Sequence, residues 1–245
     1  MPSGRSLALV AAIIAAVAAG YAVARQTSLF AIRSVELRGA PPGVAAQVRQ
    51  AVADWRGTSL VGLDAGELLG RVDAVPWVVR ASYDRAFPHT LRLAVQIEQP
   101  VAVLRAGRTS WLVSARGRVL ARLPRGARPE LPRVWVPAAT PVEAGEVLPE
   151  TDGGAAARSL APLVRAHFPV RIASVTLRRR ELVFRLAGGT ELRLGRPDDL
   201  RLKLAVARRI VPTLAAGTGY VDVSVPERPV AGATTPPAPM PQVSG

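Results

Sequence analysis

The sequence predicts an α+β chain: a single N-terminal transmembrane helix, a compact module ordered β-α-α-β-β, then a mainly antiparallel β domain with flanking helices. Three observations carry that expectation. The nineteen positions between Arg5 and Arg25 hold no charged residue. The stretch "DAVPWVVRASYDRAFPHTLRLAVQIEQPVAV", residues 73–103, sets two alternating runs between the punctuation of Pro76, Phe87-Pro88 and Pro100. Beyond residue 100, short runs rich in Val and Leu follow one another between glycine-bearing turns, the pattern of a β domain.

The apolar segment comes first. As a helix, "SLALVAAIIAAVAAGYAVA" would extend roughly 28 Å at about 1.5 Å per residue, enough to cross a bilayer from Leu7 to Ala24. Two readings stay open, because Ala22-Val23-Ala24 is also an A-x-A cleavage site behind an apolar stretch; the uninterrupted length favours a retained anchor over a cleaved signal. Residues 1–6 then form a short cytoplasmic tail, and everything foldable lies on the other side of the membrane.

In the module (28–99), residues 30–39 alternate, with Val35 and Leu37 on one face and Gly39 at the end, as in a strand. Val44, Val48, Ala51, Val52 and Trp55 recur near helical spacing between the prolines at 41–42 and Gly57. Asp64 precedes Glu67 by three positions, the spacing of a capping box, and predicts a second, shorter helix. Pro76 ends it for want of an amide donor. Val79, Ala81 and Tyr83 share a strand face, residues 87–90 reverse the chain, and Leu91, Leu93, Val95 and Ile97 alternate with polar neighbours. Trp77 and Phe87, at the start and turn of this hairpin, are expected to be substantially buried.

The β domain is expected over 100–226. Strands are read at 101–105, 110–113, 119–123 and 134–136, a loop at 137–154, and a helix at 155–168. A meander follows at 171–177, 181–186 and 190–194, its last pair joined at Gly188-Gly189, a strong hairpin cue. Leu200, Leu204, Ala207 and Val211 make one apolar stripe of a helix over 197–211, opened by Pro197. The final strand is Tyr220, Val221, Asp222, Val223, Ser224, Val225, and residues 227–245, rich in Pro, Ala and Thr, suit a disordered tail.

Composition narrows the chemistry. Net charge is +14 and Lys203 is the single lysine, so the positive charge is nearly all arginine. Nucleic acid is the first thought for such a chain, but the arginines are spread along its whole length and aromatics are 4% of it, so a solvated basic surface is the better reading and no nucleic-acid partner is expected. Cysteine is absent, which excludes disulfides and thiolate chemistry. His89 and His167 lack spaced partners for a metal, no Gly-x-Ser-x-Gly elbow or phosphate loop occurs, and Asp198-Asp199 reads as a helix cap. No enzyme, cofactor or metal site is expected.

"LFAIRSVELRG", "VPWVVRASYDRAFPHTLRLAVQIEQPVAVL", "ELRLGRPDDLRLKLAVARRI" and "GYVDVSVPERP" together, behind an apolar segment, resemble the FtsQ/DivIB family of bacterial cell-division proteins. The resemblance runs from about Leu7 to Pro229, and departs from the family pattern at Gln99, where arginine is common. It implies a POTRA domain followed by an FtsQ-type β domain, held single-pass in the cell (inner) membrane with the N-terminus in the cytoplasm, and located at the division septum. It also implies a non-enzymatic divisome scaffold that controls septal peptidoglycan synthesis through FtsB/DivIC-like and FtsL-like bitopic coiled-coil partners. The alternative is an anchored or secreted basic domain that binds acidic polymer or anionic lipid. The terminal strand Tyr220–Val225, last in the chain and so a candidate sheet edge, is the expected partner site through strand addition. The resemblance adds Arg179 and Arg180, in the turn before strand 181–186, as the basic residues that meet an acidic partner residue.

Overall fold

A computed structural model of the chain describes residues 4–26, 28–150, 152–164, 166 and 168–233. The chain folds as two compact units, Met1–Glu98 and Gln99–Gly245.

The first unit begins with helix α1, Gly4–Gln26. Leu7 and Ala24 lie within it, and its large apolar side chains Leu9, Val10, Ile13, Ile14 and Val17 are exposed. The helix over this segment is as expected; the membrane span is not shown, because among the described residues no helix is long and apolar enough to cross a membrane. The rest of the unit is β1 (Ser34–Arg38), α2 (Pro42–Ala51), α3 (Ala65–Asp73), β2 (Val78–Ala86) and β3 (Thr90–Ile97), in the predicted order. The strands make a sheet β1-β3-β2, with β1 parallel and β2 antiparallel to the central β3.

Local chemistry explains the boundaries. The Asp64 carboxylate accepts from the amides of Gly66 (2.8 Å) and Glu67 (3.1 Å), capping α3. Glu67 pairs instead with Arg71 one turn on, so the reciprocal half of the box is not made. Gly39 has φ +88, and a Cβ there would stand 2.0 Å from the Val95 carbonyl oxygen, so no other residue fits. The inward faces of β3 (Leu91, Leu93, Val95) and of the helices (Val44, Val48, Leu68, Val72) form one core. Each such aliphatic side chain contributes about 1.5 to 3 kcal/mol by leaving water.

Trp77 packs half-buried against that core. Phe87 does not: it is 55% exposed, and its ring meets Phe30 edge-on at 5.5 Å. The expectation of burial fails there because residues 87–89 form the turn itself, outside the alternating pattern that sends side chains inward.

The second unit carries β4 (Pro100–Ala106), β5 (Thr109–Ser114), β6 (Val119–Leu123), β7 (Arg133–Val136), α4 (Asp152–Arg158), β8 (Ile172–Arg178), β9 (Glu181–Leu186), β10 (Glu191–Gly195), α5 (Leu200–Ile210), β11 (Tyr220–Asp222) and β12 (Val230–Gly232). They build one nine-stranded sheet in the order β12-β11-β10-β9-β8-β7-β4-β5-β6. It is mixed rather than simply antiparallel: β4 with β7, β7 with β8 and β10 with β11 run parallel. One face packs Leu104, Val134, Val175, Phe184, Leu192 and Val221 against Ala156, Leu204 and Ala207 of the helices.

Four expectations are corrected here. The helix read at 155–168 is α4, starting at Asp152 and ending at Arg158; Ser159 Oγ turns back to the Ala156 carbonyl (2.6 Å), and Pro162 permits only the short 3₁₀ turn Ala161–Leu163. Pro197 does not open α5, which begins three residues later behind Asp199, a residue in the left-handed region (φ +48) that makes no side-chain cap. The last strand of the meander ends in Gly195 with a register shift. The tail expected from 227 contributes β12 to the sheet. His167 and residues 234–245 lie outside the described residues.

Candidate functional site

The sheet end at β9, β10, β11 and β12 collects most of the residues the sequence singled out. Arg179 and Arg180 are the two central residues of the β8–β9 hairpin, closed by the pair Arg178 and Glu181, with φ +51 and +66. That is the turn geometry usually given to Asn-Gly; for arginine each left-handed residue costs on the order of 1 to 2 kcal/mol. Both are exposed.

The terminal strand is shorter than expected and differently placed. Only Tyr220–Asp222 is β11, and it is not the edge: β10 pairs with it on one side and β12 on the other. Val221 and Val223 are fully buried on the core face, and the Val223 amide donates to the Arg193 carbonyl at 2.8 Å, so neither valine has a side chain free for a partner. Asp222 accepts from the Ser224 amide (2.8 Å), which turns the chain out of the strand and leaves Ser224 and Val225 exposed. Gly195 stands against Ser224, so Ser224 and the Arg179-Arg180 turn lie at the same end of the sheet.

Tyr220 lies at the other end of β11, half-buried under the Arg193 guanidinium, which sits 4.3 Å from its ring centroid. Arg193 and Arg185 both reach the Glu191 carboxylate, at 3.4 and 2.8 Å. This network covers the sheet face opposite the core. Following the register across the same face leads from Val230 and Asp222 through Arg193, Val183 and Thr176 to Trp135 and Arg105. Trp135 is 56% exposed there. Tryptophan, tyrosine and arginine are the residue types that dominate interface energetics.

Sequence reading missed three elements of the site. Strand β12 is three residues with one β-branched side chain, too short for a period-2 signal. Trp135 was legible in part, since its neighbours Val134 and Val136 in "RVWV" point to the opposite face. Lys203 is 4% exposed, its Nζ donating to Asp198 Oδ1 (2.6 Å) and the Arg196 carbonyl (2.9 Å). Asp198 therefore does not cap the helix; the hydrogen bond from Lys203 holds its carboxyl below the usual carboxylate range. No group of acidic, His or Cys side chains suited to a metal occurs among the described residues.

Comparison with known proteins matches residues 102–224 to the family described as cell division protein FtsQ/DivIB, C-terminal, and residues 30–96 to the POTRA domain, FtsQ-type. The chain is similar to the cell division protein FtsQ of Bordetella pertussis, 31% identical over 99 residues, which is 38% of this chain and 36% of that protein. It is likewise similar to the cell division protein FtsQ of Caulobacter vibrioides, 27% identical over 105 residues, 43% of this chain and 35% of that one. The matched stretches thus span about a third of each relative's length.

Proposed function

Because this chain belongs to the FtsQ/DivIB family of cell division proteins, we propose that it is a scaffold of the division machinery that acts by binding rather than by catalysis, on the outer side of the cell membrane at the septum. One observation carries the reading: among the described residues, nothing pairs with the outer side of β12, beside a face on which Arg193 lies over the half-buried Tyr220. A partner strand laid along β12 would gain main-chain hydrogen bonds, and side chains on the neighbouring face would supply selectivity. The partner site expected at Tyr220–Val225 therefore moves one strand outward, with Tyr220, Asp222, Ser224, Val225, Arg179 and Arg180 as its flanks. The partners proposed are FtsB/DivIC-like and FtsL-like bitopic proteins, through an extended segment beside their coiled coils.

Anchoring by α1 is part of the same proposal. All 23 residues would extend about 34 Å, and the helix shows apolar side chains around its whole circumference, a pattern suited to lipid rather than water. Intact-mass measurement of the membrane fraction tests this: a mature chain beginning at Arg25 would replace the anchor with a cleaved signal.

The partner site is tested by co-purifying the full chain from membranes with a small coiled-coil bitopic protein, using Val230→Pro and Ala231→Pro. Successive residues of an edge strand point their amides alternately inward and outward, so one of the two deletes an outward donor. The expected result is a folded chain that loses its partner in at least one variant. Normal capture by both overturns the edge.

A further inference from the structure

At the turn end of the sheet, a pocket of about 510 Å³ lies between the Arg179-Arg180 hairpin, α4 and the segment leading into α5. Its charged lining is Arg158, Arg180, Arg196, Glu150 and Asp198, and Leu177 and Leu200 line it as well. The partner reading makes no use of this cavity. Two facts decide its charge. Asp198 is already matched by the buried Lys203 ammonium at 2.6 Å, a contact that also ties down the Arg196 carbonyl. Arg158 is held by the carbonyls of Leu148 (3.2 Å) and Pro149 (3.4 Å), which fix its guanidinium without neutralising it. Among the described residues, the Arg180 side chain makes no hydrogen bond or ion pair, and Arg196 approaches Asp198 only at 3.7 Å. Setting Asp198 against Lys203, the lining carries three arginines and one carboxylate, Glu150, that forms no ion pair among the described residues, an excess of two positive charges.

We infer that this pocket binds a dianionic phosphate group, with the carbon portion of the ligand resting on Leu177 and Leu200. Guanidinium forks match phosphate oxygens in bidentate geometry, and an excess of two charges matches a phosphate monoester rather than a single carboxylate. The phosphate belongs either to a soluble small molecule or to a lipid headgroup; the recognition chemistry is the same.

Binding is measured on the purified full chain alone, at constant ionic strength, with inorganic phosphate in one arm and, in the other, phosphatidylcholine vesicles with and without phosphatidic acid, the signal being the increment that phosphatidic acid adds to the binding α1 gives to either vesicle. Saturable binding is expected in at least one arm, and the arm that saturates identifies the source. Arg180→Gln and Arg196→Gln should each weaken it about tenfold, the loss of one charge-assisted contact. Arg122→Gln, exposed on β6 far along the sheet, removes the same charge and should change it less than twofold. Saturation in neither arm, or equal losses in all three variants, overturns the site. Arg180 is shared with the partner reading but Arg196 and Arg158 are not, and no partner is present in the assay, so failure of either proposal leaves the other standing.

Discussion

Strand β6, at one edge of the nine-stranded sheet, buries Val119 and Leu120, and the chain itself occupies the outer backbone where the strand begins: the Val119 amide donates to the Glu146 carbonyl, Gly145 donates to Val119, and Leu148 donates to Gly117 just before it, all near 2.8 to 2.9 Å. Strand β12, at the other edge, has three residues, leaves Val230 55% exposed, and has no strand beyond it among the described residues. The outer face beside β12 carries polar contacts, Arg193 over Tyr220 and Arg193 and Arg185 on Glu191, while the other face of β11 is in the core through Val221; Lys203 on Asp198 ties α5 to the segment after β10. The open edge is short and flanked by charge, which limits unwanted pairing while leaving main-chain groups for a chosen one.

The largest effect tests that contrast directly. Leu120→Ala at the closed edge should cost about 2 to 5 kcal/mol, because the cavity it leaves is enclosed. Val230→Ala at the open edge should stay within about 0.5 kcal/mol. Chemical denaturation of the two variants checks both. Similar losses would mean that β12 is packed as tightly as β6, and the open-edge reading would fail.

The sequence made the local half of this contrast legible. Alternation along Leu91, Leu93 and Val95, the Asp64 cap and the Gly188-Gly189 hairpin, where Gly189 has φ +90 and donates to Leu186, are all decided within a few residues. What failed was non-local. Parallel pairing of β10 with β11 and of β4 with β7 joins segments separated by about 25 residues or more, and no short-range pattern specifies it. Lacking that, Tyr220–Val225 read as a last strand and therefore an edge. Val223 read as a partner contact for the same reason, although its alternation with Asp222 already placed it on the face of Val221. The Asp198–Lys203 pair was hidden differently: a lysine in an apolar stripe looks like an exposed interruption until the carboxylate that reaches it is located.

A second, smaller test concerns the strained turn at the open end. Glycine accepts φ +66 freely, so Arg180→Gly should raise stability, by about 1 kcal/mol after allowing for the added freedom of its unfolded chain. Thermal unfolding reads the gain. A loss instead would mean that the Arg180 side chain supports the fold, which would weaken its assignment to binding. Below that effect lies the Arg193–Tyr220 contact. A double-mutant cycle with Arg193→Gln and Tyr220→Leu should give a coupling of about 0.5 kcal/mol, the range for a cation over a partly exposed ring. No coupling would remove one of the polar ties that distinguish this end.

The smallest effect depends on pH and separates an ionic tie, between α5 and the segment after β10, from the hydrocarbon packing of the closed edge. Lys203 lowers the Asp198 carboxyl from its ordinary value, chiefly by hydrogen bonding. A carboxylate whose folded-state pKa lies below its unfolded one adds stability that is fully present above the unfolded value, near 4, and is lost as pH falls through the folded value. Asp198 is on the surface while Lys203 is buried, so the tie is partly screened by solvent and the gain is modest. Melting midpoints of the parent chain and Asp198→Asn, followed from pH 6 down to pH 2, should therefore differ above pH 4 and converge below it. Leu120→Ala should run parallel to the parent over the same range, since it removes only hydrocarbon. If Asp198→Asn stays parallel as well, the pair adds no pH-dependent stability, and the segment after β10 is not held to α5 by charge in the way its geometry indicates.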